Sequence, residues 1–342
     1  MRRLAIFLMV VFGAGCVEPV SLKITGGGPL VVDGWITNQP GPYTIKLSRS
    51  IPFDNSQPLK VYSVPERNAK LSIVYGNGNI ETLTENSTAG SYNTNTLLGT
   101  VGVSYQLLIE TSTGIKYHST FEEMKPVPNI GSLQAVYQVS EVLFINANGS
   151  SRKLRKEDFA IYVNVNDPVD TENYYRWKAN GLFEFFSFTE TSGVSHCWAP
   201  TPGRIESRLE LASDLYFDGK SYSQYIGVVP YDRPTYYLVS VRQQSLTASG
   251  YNFLKRISNQ QTITGTLFDP PATAITGNIT NDANSDEVVL GYFGVAAETQ
   301  ASLLINRFKT SNYVNPSRYL LPKNGDCRTH EPNATNIKPP GF

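Results

Sequence analysis

The chain has 342 residues with 29 basic and 29 acidic side chains, a formal net charge of zero. That balance excludes the phosphate-tracking surface of a nucleic-acid binder, which needs an excess of Lys and Arg. Only 17% of residues are charged, while Tyr (20), Phe (16), Gly (27) and Pro (21) are plentiful; this suits strands and turns and excludes disorder, collagen or coiled coil for the whole chain.

Met1-Arg2-Arg3 is a positive start, followed by an apolar run from Leu4 to Phe12 and the small residues Gly13-Ala14-Gly15. Such a run is too short for a hydrocarbon core, which needs about twenty residues, so residues 1–15 read as a secretory signal peptide. Its ending resembles a bacterial lipobox, with Gly13 where a Leu is usual. Cys16 is then the lipidation site, its thiolate the acyl acceptor. No other stretch approaches 18 apolar residues, so attachment to a membrane is expected through lipid rather than a spanning helix. Val17 stands where an Asp would retain the chain at an inner membrane, and Glu18 behind the Cys resembles surface-export signals of Bacteroidota lipoproteins. Residues 16–28, ending in Gly26-Gly27-Gly28, read as a flexible tether.

Residues 29–124 carry short strands at regular spacing. Leu30–Ile36, Tyr43–Ser48, Lys70–Tyr75, Ile80–Leu83, Ser104–Ile109 and Ile115–His118 are separated by turn signals such as Gly76-Asn77-Gly78-Asn79 and Ser112-Thr113-Gly114. The density predicts an immunoglobulin-like β-sandwich, without the disulfide and Trp of antibody domains. Lys125-Pro126-Val127-Pro128 breaks the run and is placed as a domain boundary. Residues 129–342 are expected to form a second β-rich domain. Its strands include Leu133–Ile145, Phe159–Val165, the aromatic stretch from Asn173 to Phe188, Pro234–Val241 and Glu287–Val295. One short helix is predicted from Ser245 to Gln260, where Leu246, Phe253, Leu254 and Ile257 recur near helical spacing. The fold class is therefore all-β with one short helix. No repeat of propeller or solenoid length is visible.

With Cys16 lipidated, Cys197 and Cys327 remain. An exported compartment is oxidising, which favours a disulfide between them, worth roughly 4–5 kcal/mol in the chain-entropy model. Two unpaired buried thiols are the alternative. His118, His196 and His330 lack the spacing of zinc ligands. No Gly-x-Ser-x-Gly elbow, triad or phosphate loop is legible, and neither a catalytic residue, a metal nor a cofactor is expected. Glu122-Glu123 and Asp286-Glu287 are adjacent carboxylates, which in strands point to opposite faces. Asp282–Glu287 has half the look of a calcium loop but lacks its Gly and distant Glu, and reads as a solvated turn. The aromatics from Tyr174 to Phe188 read as strand core before sugar platform. Arg152-Lys153-Leu154-Arg155-Lys156 reads as a solvated hairpin tip, with contact to an acidic partner or lipid head groups as the minor reading.

Several segments together carry a resemblance. They are Leu30–Thr37, Gly41–Ser50, Phe268-Asp269-Pro270-Pro271, Gly277-Asn278-Ile279, Val289–Val295, Cys197-Trp198 and Cys327. The chain resembles the domain of unknown function 4249 family of Bacteroidota outer-membrane lipoproteins. The resemblance implies a lipid-anchored outer-membrane protein, more often at the cell surface than on the periplasmic face. It implies a non-enzymatic accessory or substrate-binding partner of a TonB-dependent receptor in nutrient uptake. It supplies no ligand-binding residue. An enzyme acting on surface polysaccharide, marked by two carboxylates about 5–10 Å apart in a pocket, and a structural or adhesive surface module are the alternatives.

Overall fold

The computed structural model describes residues 28–51, 63–146, 149–201, 205, 208–261, 274–308 and 322–342. The signal segment, Cys16 and the tether up to residue 27 lie outside these residues. The described chain is mostly β with little helix, as expected.

Ten strands build most of a first sandwich: β1 (Leu30–Thr37), β2 (Thr44–Ser50), β3 (Ser63–Pro65), β4 (Lys70–Tyr75), β5 (Asn79–Thr82), β6 (Thr84–Glu85), β7 (Ser91–Asn93), β8 (Ser104–Glu110), β9 (Lys116–Ser119) and β10 (Glu122–Glu123). Period-two alternation sets the inward faces. In β1 Leu30, Val32 and Ile36 are fully buried while Asp33 is exposed. In β4 and β8 the matching set is Leu71, Ile73, Leu107 and Ile109. One sheet runs β1-β2-β7-β6 with β3 on β2, and the other runs β9-β8-β4-β5 with β10 on β8.

The chain then crosses at residues 124–129 to a second body. Its strands are β11 (Ile130–Ile145), β12 (Ser151–Asn166), β13 (Tyr174–Thr189), β14 (Gly193–Pro200), β15 (Glu210–Ser213), β16 (Ser221–Pro230) and β17 (Tyr236–Leu246). The three-stranded sheet β11-β12-β16 faces a larger sheet centred on β13 and β17. Phe159, Ile161 and Val163 of β12 meet Tyr175, Trp177, Phe183 and Phe185 of β13 and Val239 and Val241 of β17 in one core. α1 (Ala248–Gln261) follows. It starts three residues later than the helical spacing predicted, because Ser245 and Leu246 remain paired in β17 opposite Tyr175 and Tyr174. The Thr247 hydroxyl caps the helix, accepting from the Gly250 N–H at 3.0 Å.

The expected assignment of all of 129–342 to a second domain is corrected here. After α1 the chain returns to the first body as β18 (Ile279–Asn281), antiparallel to β9, and β19 (Leu290–Ala296), parallel to β1 from Val31 to Thr37. Ile279, Val289, Phe293 and Val295 lie in the first core. β19 reads Leu-Gly-Tyr-Phe-Gly-Val-Ala, apolar at nearly every position, as suits a strand covered on both faces. Its partner in the ladder is more than 250 residues away, and no local pattern encodes that. Gly291 has φ of +87°, and a Cβ there would collide with the Val32 carbonyl, so only glycine fits this close parallel approach.

Buried Ala297 is the single residue between β19 and β20 (Glu298–Asn306), which rejoins the second body beside β17. β21 (Lys323–Asn324) pairs in parallel with β13, and the short helix α2 (Cys327–His330) follows. A third apolar cluster joins the bodies: Leu246, Tyr251, Phe253, Leu254, Tyr292 and Ala296, with Trp35 and Tyr174 packed against it. Beneath it the buried Glu122 carboxylate accepts from the Tyr292 hydroxyl (2.7 Å), the Asn278 amide (3.2 Å), and the Thr120 (3.1 Å) and Thr247 (2.5 Å) hydroxyls.

The β11–β12 hairpin outruns its sheet. β16 pairs with β12 only from Asp158 to Asn166, whereas β11 and β12 stay paired to Ile145 and Ser151. The seven residue pairs from Val139–Glu157 to Ile145–Ser151 therefore form a two-stranded arm. Val139, Leu143 and Ile145 are exposed on one face, and Val142, Phe144 and Leu154 on the other.

Candidate functional site

Cys197 on β14 and Cys327 on α2 form a disulfide that closes 130 residues, resolving the two sequence readings in favour of the pair. The Ser187 hydroxyl lies 3.0 Å from the Cys197 sulfur, inside the second core. The three histidines sit apart. His118 meets Asp282 (2.6 Å), His196 meets Glu184 (3.0 Å) and His330 meets the Asn324 carbonyl (2.9 Å). Glu122 is buried and Glu123 exposed, as alternation requires, with Glu123 paired to Lys125 at 2.9 Å. Asp282–Glu287 is a turn in which Glu287 accepts from Asn281 and from the Tyr117 hydroxyl (2.9 Å). The basic run lies on the arm: Lys153 pairs with Glu141 (2.9 Å), Arg155 with Glu157 (2.8 Å) and Lys156 with Asp158 (3.2 Å), and Arg152 lies over the Phe144 ring. Of the aromatic run, Tyr175, Trp177, Phe183 and Phe185 fill the core, while Tyr174 turns outward onto Tyr251 of α1 (centroids 4.8 Å).

Three carboxylates that sequence reasoning did not connect come together at one end of the second body. Asp167, Asp214 and Asp218 bring oxygens within 4.8 Å of one another. Among the described residues they are the group placed to share a metal ion. Each already accepts from the protein. Asp167 takes the Tyr175 phenol (2.5 Å) and the Gly219 N–H (3.2 Å), Asp214 the Asn173 N–H (2.6 Å), and Asp218 the Asp170 N–H (3.1 Å). Burial, helped by the neighbouring carboxylates, raises the Asp167 pKa against the Tyr175 and Gly219 hydrogen bonds. Burial and the same carboxylate push the Tyr175 phenol up. The arrangement latches two loops of the second body.

A concavity opens between the bodies. A cleft of about 590 Å³ is bounded by the outer face of β1 and β2 (Asp33, Trp35, Lys46), the outer face of β13 (Arg176, Lys178) and the apolar side of α1. The Arg176 guanidinium lies 5.8 Å from the centre of the Trp35 ring. Trp35 stacks on Tyr292 (5.8 Å), and Tyr292 on Phe253 of α1 (4.9 Å), so the aromatic wall is fixed by packing.

A second hollow of about 400 Å³ continues along the same face of β13, lined by Asn180, Leu182, Thr201, Ser240, Arg242 and Gln300 among others. The register joins the two. Lys178 faces Arg242, which faces Gln300; Asn180 faces Ser240, which faces Ser302. The Ser240 and Ser302 hydroxyls lie 2.7 Å apart, which confirms a shared face. Lys46, Arg176, Lys178, Arg242 and Asp33 are among the lining residues, and the Arg242 guanidinium lies 4.0 Å from the Glu298 carboxylate. Like charges opposed across a ladder, as at Lys178 and Arg242, are destabilising by up to about 1 kcal/mol. The Glu298 carboxylate offsets that opposition. Sequence reasoning read 174–188 as aromatic core and passed over the signal that marks this face: polar residues Arg176, Lys178 and Asn180 alternating with the inward aromatics.

A family model described as "Domain of unknown function (DUF4249)" matches residues 17–302. The chain belongs to this family. The match spans both bodies, including the return of β18 and β19 to the first. No curated protein matches the chain. Within this DUF4249 protein, no helix among the described residues is long and apolar enough to cross a membrane.

Proposed function

We propose that this DUF4249 protein is an outer-membrane lipoprotein, acylated at Cys16, that acts without catalysis of its own as an accessory, substrate-binding partner of a TonB-dependent receptor in nutrient uptake. The signal-like start and Cys16 support the anchor. The groove between the bodies supports ligand binding. The observation that carries the partner is the hairpin arm. An isolated two-stranded ribbon is marginal in water, and exposed apolar strands with open edges pair with other chains. Ile145 is 66% and Leu143 60% exposed, on a ribbon that no third strand joins among the described residues. Such a surface suits a β-rich partner.

The test is co-purification from solubilised outer membranes. The parent chain is expected to bring down a TonB-dependent receptor, and the Leu143→Lys, Ile145→Lys variant to lose it while remaining folded and membrane-bound. Recovery of the parent chain alone, under conditions that preserve known receptor complexes, refutes the proposal.

A further inference from the structure

We infer that the outer edge of β11, from Val139 to Ile145, takes up an uncharged extended segment of the receptor as an added β-strand. The inference rests on the receptor reading above and names how the partner is held.

Three observations converge on that edge. The first is position. Among the described residues β11 ends the sheet order β11-β12-β16, and β16 leaves β12 at Asp158. Along the arm each strand therefore has one neighbour, and every second residue turns its N–H and C=O away from it. The second is an asymmetry of charge between the two edges. Natural edge strands are blunted by charged side chains, lysine above all. From Ser151 to Glu157 the β12 side carries Arg152, Lys153, Arg155, Lys156 and Glu157. Their ion pairs guard the edge as paired groups, since covering them with another strand costs desolvation. The β11 side reads Val-Ser-Glu-Val-Leu-Phe-Ile, and its one charge, Glu141, is held by Lys153 at 2.9 Å. Guarded on one side and bare on the other, the ribbon has one edge fit for pairing. The third is the side-chain surface beside that edge. Val139, Leu143 and Ile145 are exposed on one face, Val142 and Phe144 on the other. An added strand lays its alternate side chains against both sets. Apolar or small neutral side chains gain contact there, whereas a charge would lose water beside apolar neighbours.

The same arm is ill suited to a lipid surface. Its turn is polar: the Asn146 N–H donates to the Ser150 carbonyl (2.8 Å) and the Asn146 amide to the Ser150 hydroxyl (2.7 Å). Entering a bilayer tip first would bury those groups. Behind the tip, Lys153, Arg155 and Lys156 face Glu141, Glu157 and Asp158 rather than head groups.

The experiment uses the full chain in detergent with two probes. One is the receptor that co-purifies with it. The other is an acetylated, amidated octapeptide of alternating threonine and valine, with the same peptide N-methylated at every residue as its control. At saturating octapeptide, amide exchange is expected to slow about tenfold or more at alternate residues of Val139–Ile145, and to stay fast at the outward amides of Arg152–Lys156. The N-methylated peptide is expected to slow neither. Val142→Lys, which guards the bare edge, is expected to lower both this protection and the receptor recovered about tenfold or more. Leu154→Lys, directly opposite on β12 and on the same face, is expected to leave both unchanged. Circular dichroism of each variant excludes misfolding as the cause. Protection of the β12 edge instead, equal protection by the N-methylated peptide, equal losses in the two variants, or no protection of β11 by the octapeptide overturns the inference. So does protection of β11 that rises with protein concentration and with neither probe, which makes a second copy the occupant. The receptor reading is judged separately: octapeptide protection of β11 with no receptor recovered by the parent chain refutes that reading and leaves the edge, and receptor recovered equally by the parent and Val142→Lys does the reverse.

Discussion

Residues 28–128, produced alone, are expected not to fold, although they contain every strand from β1 to β10. The fragment lacks β18 and β19, and with them Ile279, Val289, Phe293 and Val295, which are 7%, 2%, 0% and 1% exposed in the first core. At about 1.5–3 kcal/mol for each fully buried side chain, their loss removes about 6–12 kcal/mol. The net stability of a domain is itself about 5–15 kcal/mol. The parallel ladder from Val31 to Thr37 goes as well, leaving β1 with an open edge. Trp35 is the only tryptophan in the fragment, so urea titration followed by its fluorescence reports on this body alone. A broad, non-cooperative change with collapsed amide dispersion is expected. In the full chain, Phe293→Ala is expected to cost about 3–5 kcal/mol. It should accelerate hydrogen exchange in β1 and β2 more than in β12 and β13. A cooperative transition in the fragment at the midpoint of the full chain, or unchanged protection of β1 in Phe293→Ala, refutes the reasoning.

Three further outcomes are expected. Removing the disulfide in Cys197→Ser, Cys327→Ser costs about 5 kcal/mol in the chain-entropy model, since the bond closes 130 residues; denaturation with and without reductant checks this, and only the parent should respond to reductant. Glu122→Ala costs about 3–5 kcal/mol by removing the buried acceptor of four donors, and thermal melts should show Glu122→Gln losing less, because the amide keeps one acceptor oxygen. Glu81 tests the pH dependence. Burial pushes its carboxyl up, but the Thr96 hydroxyl and the N–H groups of Asn95, Leu97 and Thr96 together outweigh this and hold it below 4.5. A depressed folded-state pKa gives stability that is present above the unfolded value and is lost as pH falls through the folded one. The stability difference between parent and Glu81→Gln should therefore be greatest near neutral pH and shrink below about pH 4.5; urea titrations across pH 7 to 3 measure it, and a difference constant with pH counts against the assignment.

Alternation at Leu30, Val32 and Ile36 against Asp33 was readable along the chain, because a strand's two faces are written locally. The same holds for the Phe159–Val165 strand and for the paired cysteines, where compartment and count leave one partner for each thiol. The parallel pairing of β1 with β19 was not readable. Val289–Val295 looks like a strand in any setting, and which edge it joins depends on shape complementarity across the whole molecule. The Asp167–Asp214–Asp218 group was hidden for the same reason, being assembled from two loops that the fold closes together. The groove was half-legible. Alternation of Arg176, Lys178 and Asn180 with buried aromatics marks an outward polar face, but the opposing wall from β1 and β2 exists only once α1 has wedged the bodies together.

The path of the chain also bears on the order in which it can fold. Among the described residues the polypeptide passes between the bodies three times, at 124–129, between α1 and β18, and at Ala297. The amino-terminal body must therefore wait, its first strand uncovered, until nearly nine-tenths of the polymer has been synthesised. A molecule wired this way resists premature compaction, which is what the proposed passage across an inner membrane would demand of it.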